Sequence, residues 1–241
     1  MDKISESLII NKKGYIIKAK NKKLFDTKWD LSIRDFLLIF VPFLTLITFS
    51  LSFADGYFSY FLIFILLGIY FHKLTILLHD LSHMRFFPSR RLNKLAGNLV
   101  AWICFTDFNS YRNSHKIHHL KTGQKDDSEI HSVFKNTSAR SKIIYLGSHI
   151  IGLGVFFTSK SRISNISRFS LTAILLTQAL IFFLLANSGN FFHGFLWFIS
   201  SSSIGLFFSR LRGLLEHCPI KENSEITTRS HHCSIVEEFI F

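Results

Sequence analysis

The sequence predicts an all-α integral membrane protein with four transmembrane helices in two hairpins and a cytosolic helical cap that carries clustered histidines. Three observations carry that prediction. Apolar residues gather into blocks of about 18, long enough to cross a bilayer core, and do not recur at an amphipathic period. Within each pair of blocks a single tripeptide intervenes, Ala54-Asp55-Gly56 or Ser188-Gly189-Asn190, which leaves room only for a tight reversal. Lys and Arg are missing from both reversals and abundant everywhere else between blocks.

The tail, residues 1–34, is polar and lysine-rich and holds no signal-peptide core, so the first apolar block is expected to be a retained anchor. That block runs from Phe36 to Phe53, with Pro42 expected to kink it, which a membrane helix tolerates. The second begins at Tyr57 and ends near Leu78; the third is Ser170 to Asn187 and the fourth Phe191 to Phe208. Basic residues fill the tail (Lys12, Lys13, Lys18, Lys20), the central segment 79–169 (Arg85, Arg90, Arg91, Lys94, Arg112, Lys116) and the stretch after the fourth block (Arg210, Arg212). By the positive-inside rule both termini and the central segment are cytosolic. Two shorter apolar stretches, Leu95 to Phe105 and Ile143 to Phe157, have basic residues on both flanks and are expected to lie in or dip into the cytosolic interface. The chain thus reads as one membrane domain, 35–241, behind the basic tail.

The formal net charge is +12, from 28 Lys and Arg against 16 Asp and Glu. Because the basic residues sit between membrane blocks, anionic lipid headgroups account for them and no nucleic acid is expected. Cys104, Cys218 and Cys233 form no CxxC pair, which excludes a disulfide framework and a zinc ribbon.

The histidines carry the chemistry. His79-Asp80-Leu81-Ser82-His83 follows the second block; if helix continues there, His79 and His83 share one face, the spacing by which two imidazoles grip one metal. His115-Lys116-Ile117-His118-His119 repeats the device with three imidazoles. Neutral imidazole suits iron, zinc and copper, so the clusters alone do not name the metal. A zinc-protease reading fails because position 80 is Asp where HExxH needs its general-base Glu. The isolated His72, His149 and His193 read as polar side chains at the membrane surface.

His79-Asp80-Leu81-Ser82-His83 and Tyr111-Arg112-Asn113-Ser114-His115-Lys116-Ile117-His118-His119 resemble the HxxxH and HxxHH boxes of the membrane fatty acid desaturase superfamily. The pair Asp126-Asp127 after the second box is similar too, as is Arg212-Gly213-Leu214-Leu215-Glu216-His217 after the last hairpin. The resemblance covers about residues 35 to 241. It implies a non-haem di-iron centre with dioxygen as co-substrate, bound by His79, His83, His115, His118, His119 and His217. Asp80, Glu216, Asp126 and Asp127 are implied to support those imidazoles. It further implies a lipid or fatty acyl desaturase. A lipid or carotenoid hydroxylase or ketolase shares the boxes, and an inactive remnant is the non-catalytic alternative.

The family's final HxxHH box departs. In that frame its first position is Thr228, so either His231-His232 is a degenerate third box or, in the preferred reading, Ile226 to Phe241 is the stretch before the box and the chain is C-terminally incomplete. The reaction also consumes two electrons, and the sequence holds neither an HPGG haem motif nor an iron–sulfur cysteine set. A separate donor, cytochrome b5-like or ferredoxin-like, is therefore expected.

Overall fold

The computed structural model describes residues 8–10, 16–19, 27–49, 56–121, 138–152, 166–187 and 191–217. Side chains are not described for the first two segments or for residues 49, 214, 216 and 217. The architecture is helical. Its helices are α1 (Trp29–Phe49), α2 (Gly56–Ser82), α3 (Arg90–Ile103), α4 (Phe108–Lys121), α5 (Ala139–Ile150), α6 (Arg168–Ala186), α7 (His193–Ser200) and α8 (Leu206–His217). A π-helical turn, Ser201–Gly205, joins the last two. One element was not expected: in the tail, β1 (Leu8–Ile10) pairs antiparallel with β2 (Ile16–Ala19), Leu8 opposite Ala19 and Ile10 opposite Ile16. Its short runs of Leu and Ile have β-branched character, which the lysines around them mask in any composition average.

Among the described residues, three helices are long and apolar enough to cross a membrane: Trp29–Thr48, Gly56–Ser82 and Arg168–Ala186. The helical assignment of α1 runs through Pro42 without a break. The fourth expected span is divided, because α7 has 8 residues and α8 has 12, each too short alone for a core of about 30 Å at 1.5 Å per residue. Backbone angles stay helical at both joints, Ser201 (φ −67°, ψ −41°) and Leu206 (φ −68°, ψ −37°), so the two are one interrupted rod. The two expected reversals, Ala54-Asp55-Gly56 and Ser188-Gly189-Asn190, lie outside the described residues apart from Gly56.

Large apolar side chains point outward along α1 (Leu37, Leu38, Val41, Leu44) and α6 (Leu171, Leu175, Leu176, Leu180, Phe183). Contiguous apolar surface of that kind suits lipid and not water. Helix α2 is the central post, burying Leu67, Phe71, Leu74, Leu77, Leu78 and Leu81. Helices α2 and α7–α8 run parallel, since contacts advance together along both. A Cβ on Gly68 would meet Ile204 at 2.5 Å and one on Gly205 would meet Phe71 at 2.5 Å, while His72 bonds Ser209. Helices α6 and α7 run antiparallel: Gln178 meets Trp197, and Phe182 packs on Phe191 and Gly194. Trp197 is fully buried among Phe43, Phe71 and Phe105.

Where Leu95–Phe105 was expected at the interface, α3 enters from a basic start, capped by Ser89, and ends against α6. Its last carbonyls, Trp102 and Ile103, accept from the Gln178 amide at 2.9 and 3.0 Å. Gln178 lies eight residues beyond Ser170 on α6, about 12 Å further along the axis. The helix end thus receives from a side chain the donors that water would otherwise supply. Part of the second expected interfacial stretch forms α5; residues 153–157 lie outside the described residues.

The isolated histidines correct the sequence reading. His72, His149 and His193 are buried at 1%, 0% and 6% exposure, not at the surface. Each has an inward neighbour: Ser209 hydroxyl for His72, the Tyr145 carbonyl for His149, and the Tyr60 ring for His193. For His72 and His193 the neighbour comes from another helix, whereas Tyr145 lies one turn before His149 on α5.

Candidate metal centre

Helix α2 extends its apolar run by one further turn, and that turn carries His79; His83 follows immediately after Ser82. The chain then breaks sharply: His83 N–H donates to Asp80 O, Met84 N–H to Leu81 O, and Met84 takes φ 59°. Asn93 clasps the return, accepting from Phe87 N–H and donating to the Phe87 and Ser89 carbonyls. Helix α3 leads back to Asp107, whose Oδ1 accepts from Ser110 N–H at 2.7 Å and caps α4. Helix α4 then presents its histidines to α2.

Four imidazoles converge. The ligand atoms of His79, His83, His115 and His119 all lie within 4.8 Å of one another. His115 Nε2 is 3.2 Å from His83 Nε2 and 2.9 Å from His119 Nε2. Imidazoles bound to one ion at about 2.0–2.1 Å hold their nitrogens roughly 3–4 Å apart, so these separations fit a shared metal. The donor set fits as well, being all nitrogen, as iron, zinc or copper accept. His115 is buried, with the Tyr111 ring stacked on it at 5.9 Å. His79 Nδ1 is 2.9 Å from Asp80 Oδ1; an ionised carboxylate only accepts, so the ring N–H donates and Nε2 is left as the ligand atom.

His83 is pulled below the ordinary imidazole value, to about 4. Burial of part of the ring is the largest cause, followed by the imidazoles of His79, His115 and His119, with Asp80 acting the other way. At neutral pH the ring is therefore unprotonated, the form that binds metal.

His118 is buried beside the group, its ring centroid 5.8 Å from that of His115 and 5.7 Å from that of His119, and its nitrogens are not among the four that converge. Glu216 and His217 end α8, where only the backbone is described; Asp126, Asp127, His231 and His232 lie outside the described residues. Two contacts that spacing did not single out hold the frame. Arg112 Nε donates to the Ser82 carbonyl at 3.0 Å, and the Ser170 hydroxyl donates to Asp107 Oδ2. Only Asp107 left a trace in sequence, as an acid three residues before Ser110 at a helix start.

The family described as "Fatty acid desaturase" matches residues 55–241, from the start of α2 through both histidine clusters to the final residue. The chain belongs to the fatty acid desaturase family. A relative named sn-1 acyl-lipid omega-3 desaturase (ferredoxin), from Synechocystis sp., is 31% identical over 78 residues, 32% of this chain and 22% of that protein. The endoplasmic-reticulum omega-3 fatty acid desaturase of Vigna radiata is 30% identical over 82 residues, again 32% of this chain and 22% of the relative. The match with each of these desaturases thus spans about a fifth of its length. No solved structure matches the chain. The histidine geometry fits the metal-dependent chemistry of the desaturase family.

Proposed function

We propose that this desaturase-family chain holds a di-iron centre and serves dioxygen-dependent desaturation of the acyl chain of a membrane lipid. The carrying observation is the convergence of four imidazoles, drawn from two boxes more than thirty residues apart, on one point. His79, His83, His115 and His119 are assigned as ligands, with His118 and His217 completing the set. The parallel register of α2 and α8 supports His217. From the His72–Ser209 contact, His79 is seven residues further along one helix and His217 eight along the other, both about 10–12 Å up.

Bound there, an iron pair supplies the dioxygen-activating chemistry that breaking an unactivated methylene C–H bond demands and side chains lack. The chain's own residues do the rest. Asp80 fixes the His79 tautomer, and Glu216, Asp126 and Asp127 are assigned the same kind of support for the other imidazoles. Tyr111 stacks on His115 and keeps one side of that ring from water. The apolar faces of α1 and α6 keep the site at the edge of the bilayer, where an acyl chain is at hand.

The charge pattern supports four spans in two hairpins, with both termini and the boxes cytosolic. It also suits an acidic electron donor, ferredoxin-like or cytochrome b5-like: Arg85, Arg90, Arg91, Lys94 and Lys116 are all exposed near the boxes. Lipid mass spectrometry of cells expressing the chain with a matched donor tests the reaction. Loss of two hydrogens from an acyl chain supports desaturation, and an added oxygen replaces it with hydroxylation.

A further inference from the structure

The four imidazoles come from helices joined by a long detour through α3, so something must fix α4 along α2. We propose that Arg112 and Asp107 are positioning residues whose tethers, at Ser82 and Ser170, set the register in which the two histidine pairs meet. The proposal uses the metal-centre reading for one of its two readouts only.

Ser82 is the last residue of α2, and the next two N–H groups are already spent on Asp80 and Leu81. With Met84 turned into the left-handed region, the chain leaves the helix directly after Ser82 and His83. The carbonyl also sits at the negative end of the helix dipole, where a cation is favoured. Arg112 fills that place from α4, its Nε 3.0 Å from the oxygen. The tether stands beside the histidines on both helices: Ser82 adjoins His83, and Arg112 is one turn before His115 and two turns before His119.

Asp107 anchors the start of the same helix to α6. One carboxylate oxygen caps α4 at Ser110 N–H and the other accepts from Ser170, in the first turn of α6. Asp107 and Ser170 are both buried. With the two tethers five residues apart at the N-terminal end of α4, that end is held against both α2 and α6. A slip of one residue would move α4 about 1.5 Å and turn it about 100°, carrying His115 away from its 3.2 Å approach to His83.

The test uses the full chain in detergent, with native cysteines replaced by Ser, in two parallel arms. In the metal-free arm, His83→Cys/His119→Cys is treated with a short bifunctional methanethiosulfonate, and the crosslinking rate reports register. Arg112→Ala should slow it by about tenfold, less than the roughly hundredfold that a 1 Å misplacement can cost in direct near-attack chemistry because the reagent spans part of the gap. Arg112→Lys, which still donates to the carbonyl, should recover most of the rate. In the metal arm, with all histidines present, Arg112→Ala should weaken iron(II) binding about 10–100-fold, with the Lys variant between. Ser170→Ala, which removes one hydroxyl, should shift both readouts the same way and carries the test if Arg112→Ala does not fold. Crosslinking that is indifferent to Arg112 and Ser170 overturns the positioning role. No iron bound by the all-histidine chain, together with Arg112-dependent crosslinking of the double-cysteine variant, sinks the metal reading and leaves the positioning role standing.

Discussion

Gly97 faces Phe108 across the α3–α4 turn, and replacing it with Ala gives the sharpest test of how tightly the histidine helix is seated. A Cβ at Gly97 would lie 2.3, 2.4 and 2.8 Å from Phe108 Cε2, Cζ and Cδ2. Ordinary carbon contacts begin near 3.5 Å, so the ring or the helix must yield by about 1 Å. Phe108 is 1% exposed and is the first residue of α4, which leaves its ring nowhere to go without moving the helix start. Overpacking of that kind costs roughly 1–3 kcal/mol, against a gain of up to about 1 kcal/mol that Gly→Ala brings inside an unobstructed helix. At about 2–4 °C per kcal/mol for a chain of this size, thermal unfolding in detergent should fall by several degrees. Gly147→Ala is the control, since nothing lies within 4 Å of its added methyl, and it should unfold at an unchanged or slightly higher temperature. If Gly97→Ala is as stable as Gly147→Ala, the close seating of α4 on α3 is refuted.

Other outcomes follow from the same contacts. Gln178→Leu strips the α3 carbonyls of their donor and the Trp197 indole of its acceptor, and should lower stability by about 1–3 kcal/mol in the same assay. Burial tends to raise the Asp107 carboxyl, but hydrogen bonds from Ser170, Ser110 and Asn109 outweigh it and hold the group below its usual value. Its stabilisation is therefore complete above the unfolded carboxyl value near 3.9 and is lost as pH falls through the lower folded one. The melting-temperature gap between wild type and Asp107→Asn should be level from about pH 7 to 5 and close below about 4. Iron titration should show His83→Ala more damaging than His118→Ala, because His83 is among the four converging rings and His118 stands aside; equal losses would move His118 into the inner set.

What sequence could and could not reveal follows from the range of each interaction. Spans are local sums of side-chain transfer energies, so Trp29–Thr48, Gly56–Ser82 and Arg168–Ala186 each overlap an apolar block. The i, i+4 spacing of His115 with His119 is likewise a property of one helix and placed that pair on a common face, while His83 sits one residue past the end of α2 with its ring still beside that of His79. The meeting of the two pairs is not local. It depends on Arg112 reaching a carbonyl thirty residues back and on Asp107 meeting Ser170 sixty-three residues on, contacts with no period to read. The π-helical turn was hidden for a related reason. Ser201-Ser202-Ser203 has no mark of its own, and the wide turn appears where Ile204 and Gly205 press against Gly68 and Phe71. The burial of His72, His149 and His193 has the same origin, since only tertiary packing decides whether an isolated polar side chain faces water.

The central claim is that the two boxes build one iron site, and metal analysis of the purified full chain from iron-replete cells tests it most directly. The account predicts bound iron in the wild type, lost when His83 and His115 are both replaced by Ala while the protein stays helical and monodisperse. Iron absent from the wild type, or retained undiminished by the double variant, would contradict it.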